Sequence, residues 1–191
     1  MKVSIPENSL IACMCEGGAE IAIMDILLDN RLLIFKREQL LEERLIPRIS
    51  AKDFEKRYLR VAYGQKIVIL RVIDSRSEKF NLSKAYQCQV DLINVITAPE
   101  IEMLIIASEN KLESFSHSDL KKPSEYCKIV LKMKNVKQPS FVKNYFHNPE
   151  DLINGIQKYH QLHRQLKTEA SIYDLIDWTA IKSLQSDNQV D

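Results

Sequence analysis

Short apolar runs that alternate with amphipathic segments dominate residues 1–110 of the chain. The run from Ser9 to Cys15 lies between turn-forming residues, and the segments "KIVILRVID" and "QVDLINVIT" are rich in residues that favour strands. Between them, Ala19 to Leu28 and Ala51 to Leu59 carry apolar residues at helical spacing. Strands that alternate with helices indicate parallel βαβ units. The pattern therefore predicts an α/β protein with an open, mostly parallel sheet and flanking helices.

Other segments extend this pattern. "RLLIF" is predicted to be a second strand and "REQLLEERLI" a charged amphipathic helix that ends at Pro47, while Pro99 is expected to open the helix "PEIEMLIIASE". After Asn110 the pattern becomes helical, with "PSEYCKIVLKM", "NPEDLINGIQKYHQLHRQL" and "SIYDLIDWTAI" as predicted helices. We expect an α/β core over residues 1–110 and a helical C-terminal extension over residues 111–191, packed together as one folding unit.

Composition narrows the classes of protein that fit. A chain of 191 residues with 45% hydrophobic content is long enough to bury one sizeable core. Its net charge of +1 gives no strong attraction to nucleic acid or to an anionic membrane, so any such attraction must be local. Scattered cysteines, no signal-peptide pattern and no apolar run of membrane-spanning length predict a cytoplasmic protein without a membrane partner. The chain has no P-loop, GxGxxG motif or nucleophile elbow, which argues against an NTPase or a dinucleotide enzyme.

Acidic residues follow three of the predicted strands. Glu16 follows the first strand, Asp74 follows the strand with the clearest pattern, and Glu100 and Glu102 come after the strand that ends at Thr97. The carboxyl ends of parallel strands meet at one edge of a sheet, so these carboxylates could converge there and bind a divalent cation. The alternative is that each acid only forms a turn or starts a helix, in which case Glu16 and Asp74 would lie far apart.

The order of the motifs adds a family resemblance. "CEGGAE", "VIDSR", "APEIEMLI" and "EYCK" resemble, in that order, motifs of the Toprim-like nucleases of the RloB and abortive-infection type. The resemblance covers approximately Leu10 to Lys128. It implies a Rossmann-like Toprim core and cleavage of DNA or RNA that depends on Mg²⁺ or Mn²⁺. It also implies a role in prokaryotic defence against phage, commonly beside an ATPase partner protein.

The resemblance also implies roles for individual residues. Glu16 would act as general acid or base near the scissile phosphate, and Lys128 would stabilise the charge of the transition state. Gly17 and Gly18 would allow a phosphate to approach the backbone closely. Glu20 fits a first-turn helix charge better than a metal ligand, although it remains a secondary candidate ligand. The candidate metal ligands are Asp74, Glu102, Glu20 and Glu78.

Two positions depart from the family pattern. Arg76 stands where the family has the second aspartate of its D-x-D motif, and Leu104 stands where it has a tryptophan. Arg76 could bind a phosphate directly, and Glu78 could supply the missing acid. These departures leave open a catalytically degenerate protein that binds nucleic acid or a partner protein in a regulatory role.

One region of the sequence is strongly basic. Residues 121–143 contain seven lysines and a single acid, Glu125. Lysines of this kind contact phosphates without reading base sequence, although a solvated helix face has the same composition. The predicted nucleic-acid-binding residues here are Lys121, Lys122, Lys132 and Lys134, in addition to Arg76.

Overall fold

A four-stranded, all-parallel sheet forms the centre of the protein. The computed structural model describes residues 3–98, 101–162 and 169–187. Within them the strands run in the order β2–β1–β3–β4. Their bounds are β1 Leu10–Cys15, β2 Ile46–Pro47, β3 Ile67–Ile73 and β4 Val90–Ile96. The predicted α/β class, with a parallel sheet and flanking helices, is confirmed.

Helices precede and follow the strands on both faces of the sheet. Their bounds are α1 Gly18–Asp29, α2 Ala51–Phe54, α3 Lys84–Gln87, α4 Met103–Ser108, α5 Leu112–Ser116, α6 Pro123–Ile129, α7 Pro139–Tyr145, α8 Pro149–Leu162 and α9 Trp178–Asp187. A wider helical turn over Glu55–Leu59 continues α2, and single 3₁₀ turns cover Arg37–Gln39, Leu41–Glu43 and Ile172–Leu175. None of the helices in the described ranges has the length and apolar content needed to cross a membrane.

The sheet separates two layers of apolar side chains. Successive residues of a strand point to opposite faces, so Cys13 and Cys15 of β1 pack on one side and Ala12 and Met14 on the other. The first layer also contains side chains of α1, α4, α6, α7 and α8. The second is smaller and contains aromatic side chains of the α2 region, including Phe54. Helices from residues 111–191 thus share a core with the sheet.

Two predicted elements between α1 and α2 are wrong. "RLLIF" is not a strand of the sheet, because it makes only one isolated bridge, from Leu33 to Ile176, and the second strand is the later pair Ile46–Pro47. "REQLLEERLI" is not a helix, because Glu42 and Glu43 have φ angles of 58° and 52°, which an α-helix cannot continue. Its leucines are buried, but they belong to an irregular segment and do not form one face of a helix.

The later predicted helices are partly confirmed. "SIYDLIDWTAI" is divided into a 3₁₀ turn and α9, because Ile176 has an extended backbone. The helix predicted from Pro99 begins at Met103 among the described residues, and Pro99 and Glu100 lie outside them. The predicted continuation of α8 beyond Leu162 also lies outside the described residues.

The strand order creates a crevice at the carboxyl ends of β1 and β3. The connection that follows β1 leads to β2 on one side, whereas the connection that follows β3 leads to β4 on the other side, so the two connections diverge between β1 and β3. In open parallel sheets, ligands bind outside the strand ends at such a reversal. Glu16 directly follows β1 and Asp74 directly follows β3. Two of the acids selected from the sequence therefore flank the crevice.

Helix α8 approaches α4 closely at Gly155. A Cβ atom placed on Gly155 would lie 2.5 Å from Ser108 Oγ and 3.0 Å from the carbonyl oxygen of Leu104. The Ser108 side chain can rotate away, but the carbonyl oxygen belongs to the backbone of α4. Since α4 begins directly after Glu102, this contact helps to place Glu102 at the sheet edge.

We expect Gly155→Ala to destabilise the protein by about 1 kcal/mol. Overpacking costs about 1–3 kcal/mol, and the better helix propensity of alanine returns about 1 kcal/mol. Asn154→Ala is the matched control, because Asn154 is exposed on the same helix and its replacement should be neutral or stabilising. Urea denaturation measures both free energies of unfolding. Equal stability of the two variants would contradict the close packing of α8 on α4.

Candidate functional site

A cavity of about 220 Å³ lies at the carboxyl ends of β1 and β3. Four of its lining residues are acids and one is a lysine. The lining residues are Glu16, Gly17, Gly18, Ala19, Glu20, Asp74, Ile101, Glu102 and Lys137. The structure therefore brings together four of the acids that the sequence selected. They are separated by up to 86 positions in the chain, from Glu16 to Glu102.

Glu16 links the ends of three strands. Its Oε2 accepts a hydrogen bond from the backbone N–H of Asp74 at 2.8 Å, and its Oε1 accepts one from Arg48 Nη1 at 2.7 Å. Arg48 directly follows β2, and Asp74 directly follows β3. The Glu16 side chain retains 19% of its accessible surface. Both of its carboxylate oxygens are thus fixed, while the side chain remains accessible from the cavity.

An ion-pair network continues from Arg48 to Arg71 of β3. Arg48 Nη2 lies 2.5 Å from Glu78 Oε2, and Glu78 Oε1 also pairs with Arg71. Arg71 projects from β3 and is only 3% exposed. Its Nη1 donates to Asn94 Oδ1 at 3.3 Å, and its guanidinium lies 4.8 Å from the ring centroid of Phe80. Burial lowers the pKa of Arg71, and the negative charge of Glu78 opposes that shift.

Glu78 therefore differs from the other candidate metal ligands. It is not among the residues that line the cavity, and it forms ion pairs with two arginines. In this arrangement its carboxylate neutralises Arg71 and positions Arg48.

Glu20 is one of two buried acids that line the cavity, with Glu102 as the other. It lies in the first turn of α1 and is 7% exposed. Burial raises its pKa, and the negative charges of Glu16 and Asp74 raise it further, while Lys137 acts in the opposite direction. The raised pKa therefore follows mainly from burial of the carboxyl group and secondarily from the carboxylates gathered around it.

The two glycines of "CEGG" provide room for protein groups. A Cβ atom on Gly17 would lie 3.0 Å from Glu20 Oε2, and one on Gly18 would lie 2.8 Å from Cγ of Pro139. Gly17 thus accommodates the Glu20 carboxylate, and Gly18 allows α7 to pack against the start of α1. The sequence predicts that these glycines allow a phosphate to approach. The observed close neighbours are a carboxylate and a proline.

Glu102 and Lys137 complete the charged wall of the cavity. Glu102 is 2% exposed and immediately precedes α4, where a negative charge is favourable. Lys137 comes from the connection between α6 and α7. Lys128, the cation expected at the site, lies on an exposed part of α6 and is not among the lining residues. No local feature of the sequence distinguishes Lys137 from the other lysines of this basic region.

Arg76 and Arg48 lie on opposite sides of Asp74. Arg48 follows β2, whereas Arg76 is held near β4. Its Nε donates to Glu169 Oε1 at 2.8 Å, and the Glu169 side chain is 14% exposed. Glu169 precedes Ala170, whose backbone bridges to Val95 of β4. Arg76 is therefore anchored at the β4 side of the crevice, with 45% of its side-chain surface exposed.

The predicted nucleic-acid-binding lysines lie at the protein surface. Lys121, Lys122, Lys132 and Lys134 are all exposed. Lys122 Nζ lies 3.8 Å from Glu125 Oε1. Lys132 and Lys134 belong to the connection between α6 and α7, which reaches the cavity at Lys137. The basic segment thus leads along the surface to the acidic cavity.

The donors at the cavity are of the chemical type that a hard divalent cation takes. Mg²⁺ and Mn²⁺ bind carboxylate oxygens, and a cation would relieve the repulsion that raises the pKa of Glu20. Among the described residues, however, no group of three His, Cys, Asp or Glu side chains is close enough to hold a metal ion. Carboxylates of the cavity would therefore have to move towards one another to complete a coordination shell.

We expect Glu20→Gln to raise the melting temperature at neutral pH in the presence of a chelator. The folded protein keeps the Glu20 proton to a higher pH than the unfolded chain, whose glutamate has the ordinary value of 4.5. Stability is therefore lost as the pH rises from 4.5 through the raised pKa, and a neutral amide removes that loss.

Melting temperatures measured across this pH range test the assignment. The two proteins should converge below the ordinary pKa of glutamate and diverge above it. Glu38→Gln is the control, because Glu38 is an exposed glutamate away from the cavity. A constant difference between wild type and Glu20→Gln at every pH would contradict the raised pKa.

Comparison of the chain with family models, with curated proteins and with solved structures finds no significant match.

Proposed function

We propose that this protein is a nuclease that depends on Mg²⁺ or Mn²⁺ and hydrolyses phosphodiester bonds on a Rossmann-like, Toprim-like core. The observation that carries the proposal is the shared cavity of Glu16, Glu20, Asp74 and Glu102 at the reversal of strand order. The family resemblance of the motifs around these acids supports the same reaction. Hydrolysis of a phosphodiester needs a group that stabilises the negative charge of the transition state and a group that transfers a proton.

The residues of the cavity divide between those two tasks. Asp74, Glu102 and Glu20 are the proposed ligands of the ion, which would neutralise charge on the phosphoryl oxygens. Glu16 is the proposed general acid or base, since hydrogen bonds from Arg48 and the Asp74 backbone orient its carboxylate. Lys137 lines the cavity and takes the charge-stabilising role first expected of Lys128.

The proposed substrate is DNA or RNA. Lys132 and Lys134 lie exposed on the connection that leads to Lys137, so they could hold a nucleic-acid backbone as it enters the cavity. Arg76 provides another cationic group beside Asp74. The resemblance further suggests prokaryotic defence against phage as the setting and an ATPase as a partner protein.

A second candidate is a protein of the same fold that binds nucleic acid or a partner in a regulatory role without catalysis. Two observations favour it: Arg76 replaces an acid and pairs with Glu169, and no three described acids meet at metal-binding spacing. This candidate predicts binding that a chelator does not change and no cleavage with either ion.

Glu16→Gln should lower nuclease activity by about 100-fold or more, which is the usual contribution of a general acid or base. Purified protein is incubated with single- and double-stranded DNA and RNA in Mg²⁺, in Mn²⁺ and in EDTA. Wild type should cleave at least one of these with metal and none with EDTA.

Glu113→Gln is the control for this experiment, because Glu113 is an exposed glutamate on α5. Full activity of Glu16→Gln would contradict the role of Glu16. Absence of wild-type cleavage on every substrate, with chelator-insensitive binding, would favour the regulatory candidate.

Replacement of Lys132 and Lys134 by glutamine should weaken nucleic-acid binding and its salt dependence. Each lost phosphate contact is expected to reduce the slope of log K against log salt concentration by about 0.7 for a single strand. Fluorescence anisotropy at several salt concentrations measures the slope. The matched control replaces Lys52 and Lys56 of the α2 region, which are exposed lysines outside the basic segment. Equal slopes for both variants would contradict a specific role of this segment.

A further inference from the structure

Arg48 has the features of a ligand-binding arginine as well as those of a structural one. Its side chain is 52% exposed, although two carboxylates hold it in place. One of these belongs to Glu16, which lines the cavity, and the other belongs to Glu78, which does not. Arg48 does not itself line the cavity, but its guanidinium is fixed against the Glu16 carboxylate that does, and half of its side chain remains accessible to solvent.

The hydrogen-bonding capacity of Arg48 is not used up by these contacts. A guanidinium carries five N–H donors. Nη1 donates to Glu16 and Nη2 pairs with Glu78, which leaves Nε–H and the second hydrogen of each Nη atom. No other residue in the described ranges forms a hydrogen bond or ion pair with Arg48. The remaining donors match the paired acceptor oxygens of a phosphate.

The two carboxylates also lower the cost of binding. A free arginine side chain loses conformational entropy when it is immobilised on a ligand, whereas the Arg48 side chain is already held by ion pairs on both Nη atoms. Glu78 is itself held by the buried Arg71, so the support extends into the sheet.

We propose that Arg48 is a phosphate-binding residue of this site and donates hydrogen bonds to a nonbridging oxygen of the phosphodiester bound at the cavity. This inference rests on the proposed function, because it assigns the substrate phosphate to the same cavity. It adds a contact on the β2 side of the crevice, opposite Arg76. The competing explanation is that Arg48 only positions Glu16.

A double-mutant cycle separates these explanations. Binding of a fluorescein-labelled single-stranded oligonucleotide is measured by anisotropy in Ca²⁺, without turnover. Arg48→Ala is made in the wild-type chain and in the Glu16→Ala variant. A lost charge-assisted hydrogen bond should weaken binding by about 10-fold in both backgrounds.

Arg44→Ala is the matched control. Arg44 lies four positions before Arg48, is 56% exposed and pairs with Glu42, which does not line the cavity. Its replacement should leave the affinity unchanged.

A loss of affinity only in the chain that retains Glu16 would overturn the proposal, because Arg48 would then act through Glu16. Unchanged affinity in both backgrounds would also overturn it. If Arg48→Ala fails to fold in a thermal melt, Arg48→Gln carries the same cycle with the same outcomes.

Failure of the inference is distinguishable from failure of the nuclease proposal. If the protein never cleaves nucleic acid but Arg48→Ala weakens binding in both backgrounds, the phosphate-binding role of Arg48 is supported and the nuclease proposal fails. A nuclease that binds equally well without Arg48 retains the proposed function and loses only this contact.

Discussion

The carboxylate of Glu16 is the point on which the candidate site depends, because it joins three neighbouring strand ends. One oxygen accepts a hydrogen bond from the backbone N–H of Asp74, which follows β3. The other accepts a hydrogen bond from Arg48, which follows β2. Both bonds are possible only because β1 lies between β2 and β3 in the sheet. The same geometry that creates a crevice in the sheet therefore also fixes the residue proposed to act there.

The support for Glu16 extends to a buried charge within the sheet. Arg71 is 3% exposed within β3, a position where an unpaired guanidinium would be strongly unfavourable. Glu78 neutralises it and also pairs with Arg48, so two arginines and two glutamates form a chain without net charge. Removing one member would leave a charge near the sheet without its partner, which is why we expect the network to hold its geometry as a unit.

The cavity acids that do not belong to this ion-pair network are not neutralised in the same way. Glu20, Asp74 and Glu102 line the cavity with Lys137 as its only lining cation among the described residues. Burial is the main cause of the raised pKa of Glu20, and the neighbouring carboxylates of Glu16 and Asp74 raise it further. A cavity with excess negative charge and hard oxygen donors favours a divalent cation, even though its carboxylates are not yet at coordination spacing. If the proposed ion binds here, stability and function oppose each other at Glu20, since the charge that costs folding energy would help to hold the ion.

The sequence by itself determined the strands β1, β3 and β4, the helix after β1, and the acids at the ends of these strands. Apolar runs, β-branched residues and helical spacing are local properties, so they can be read without knowledge of contacts. Tertiary structure decided the rest. Contacts between distant segments decide the two-residue strand β2 and the irregular path of residues 31–45. They also decide that Lys137, and not Lys128, lines the cavity. Arg48 belongs to the same group, because nothing in its local sequence indicates a carboxylate 32 positions earlier. The order of the strands brings those charges together, and no local pattern encodes that order.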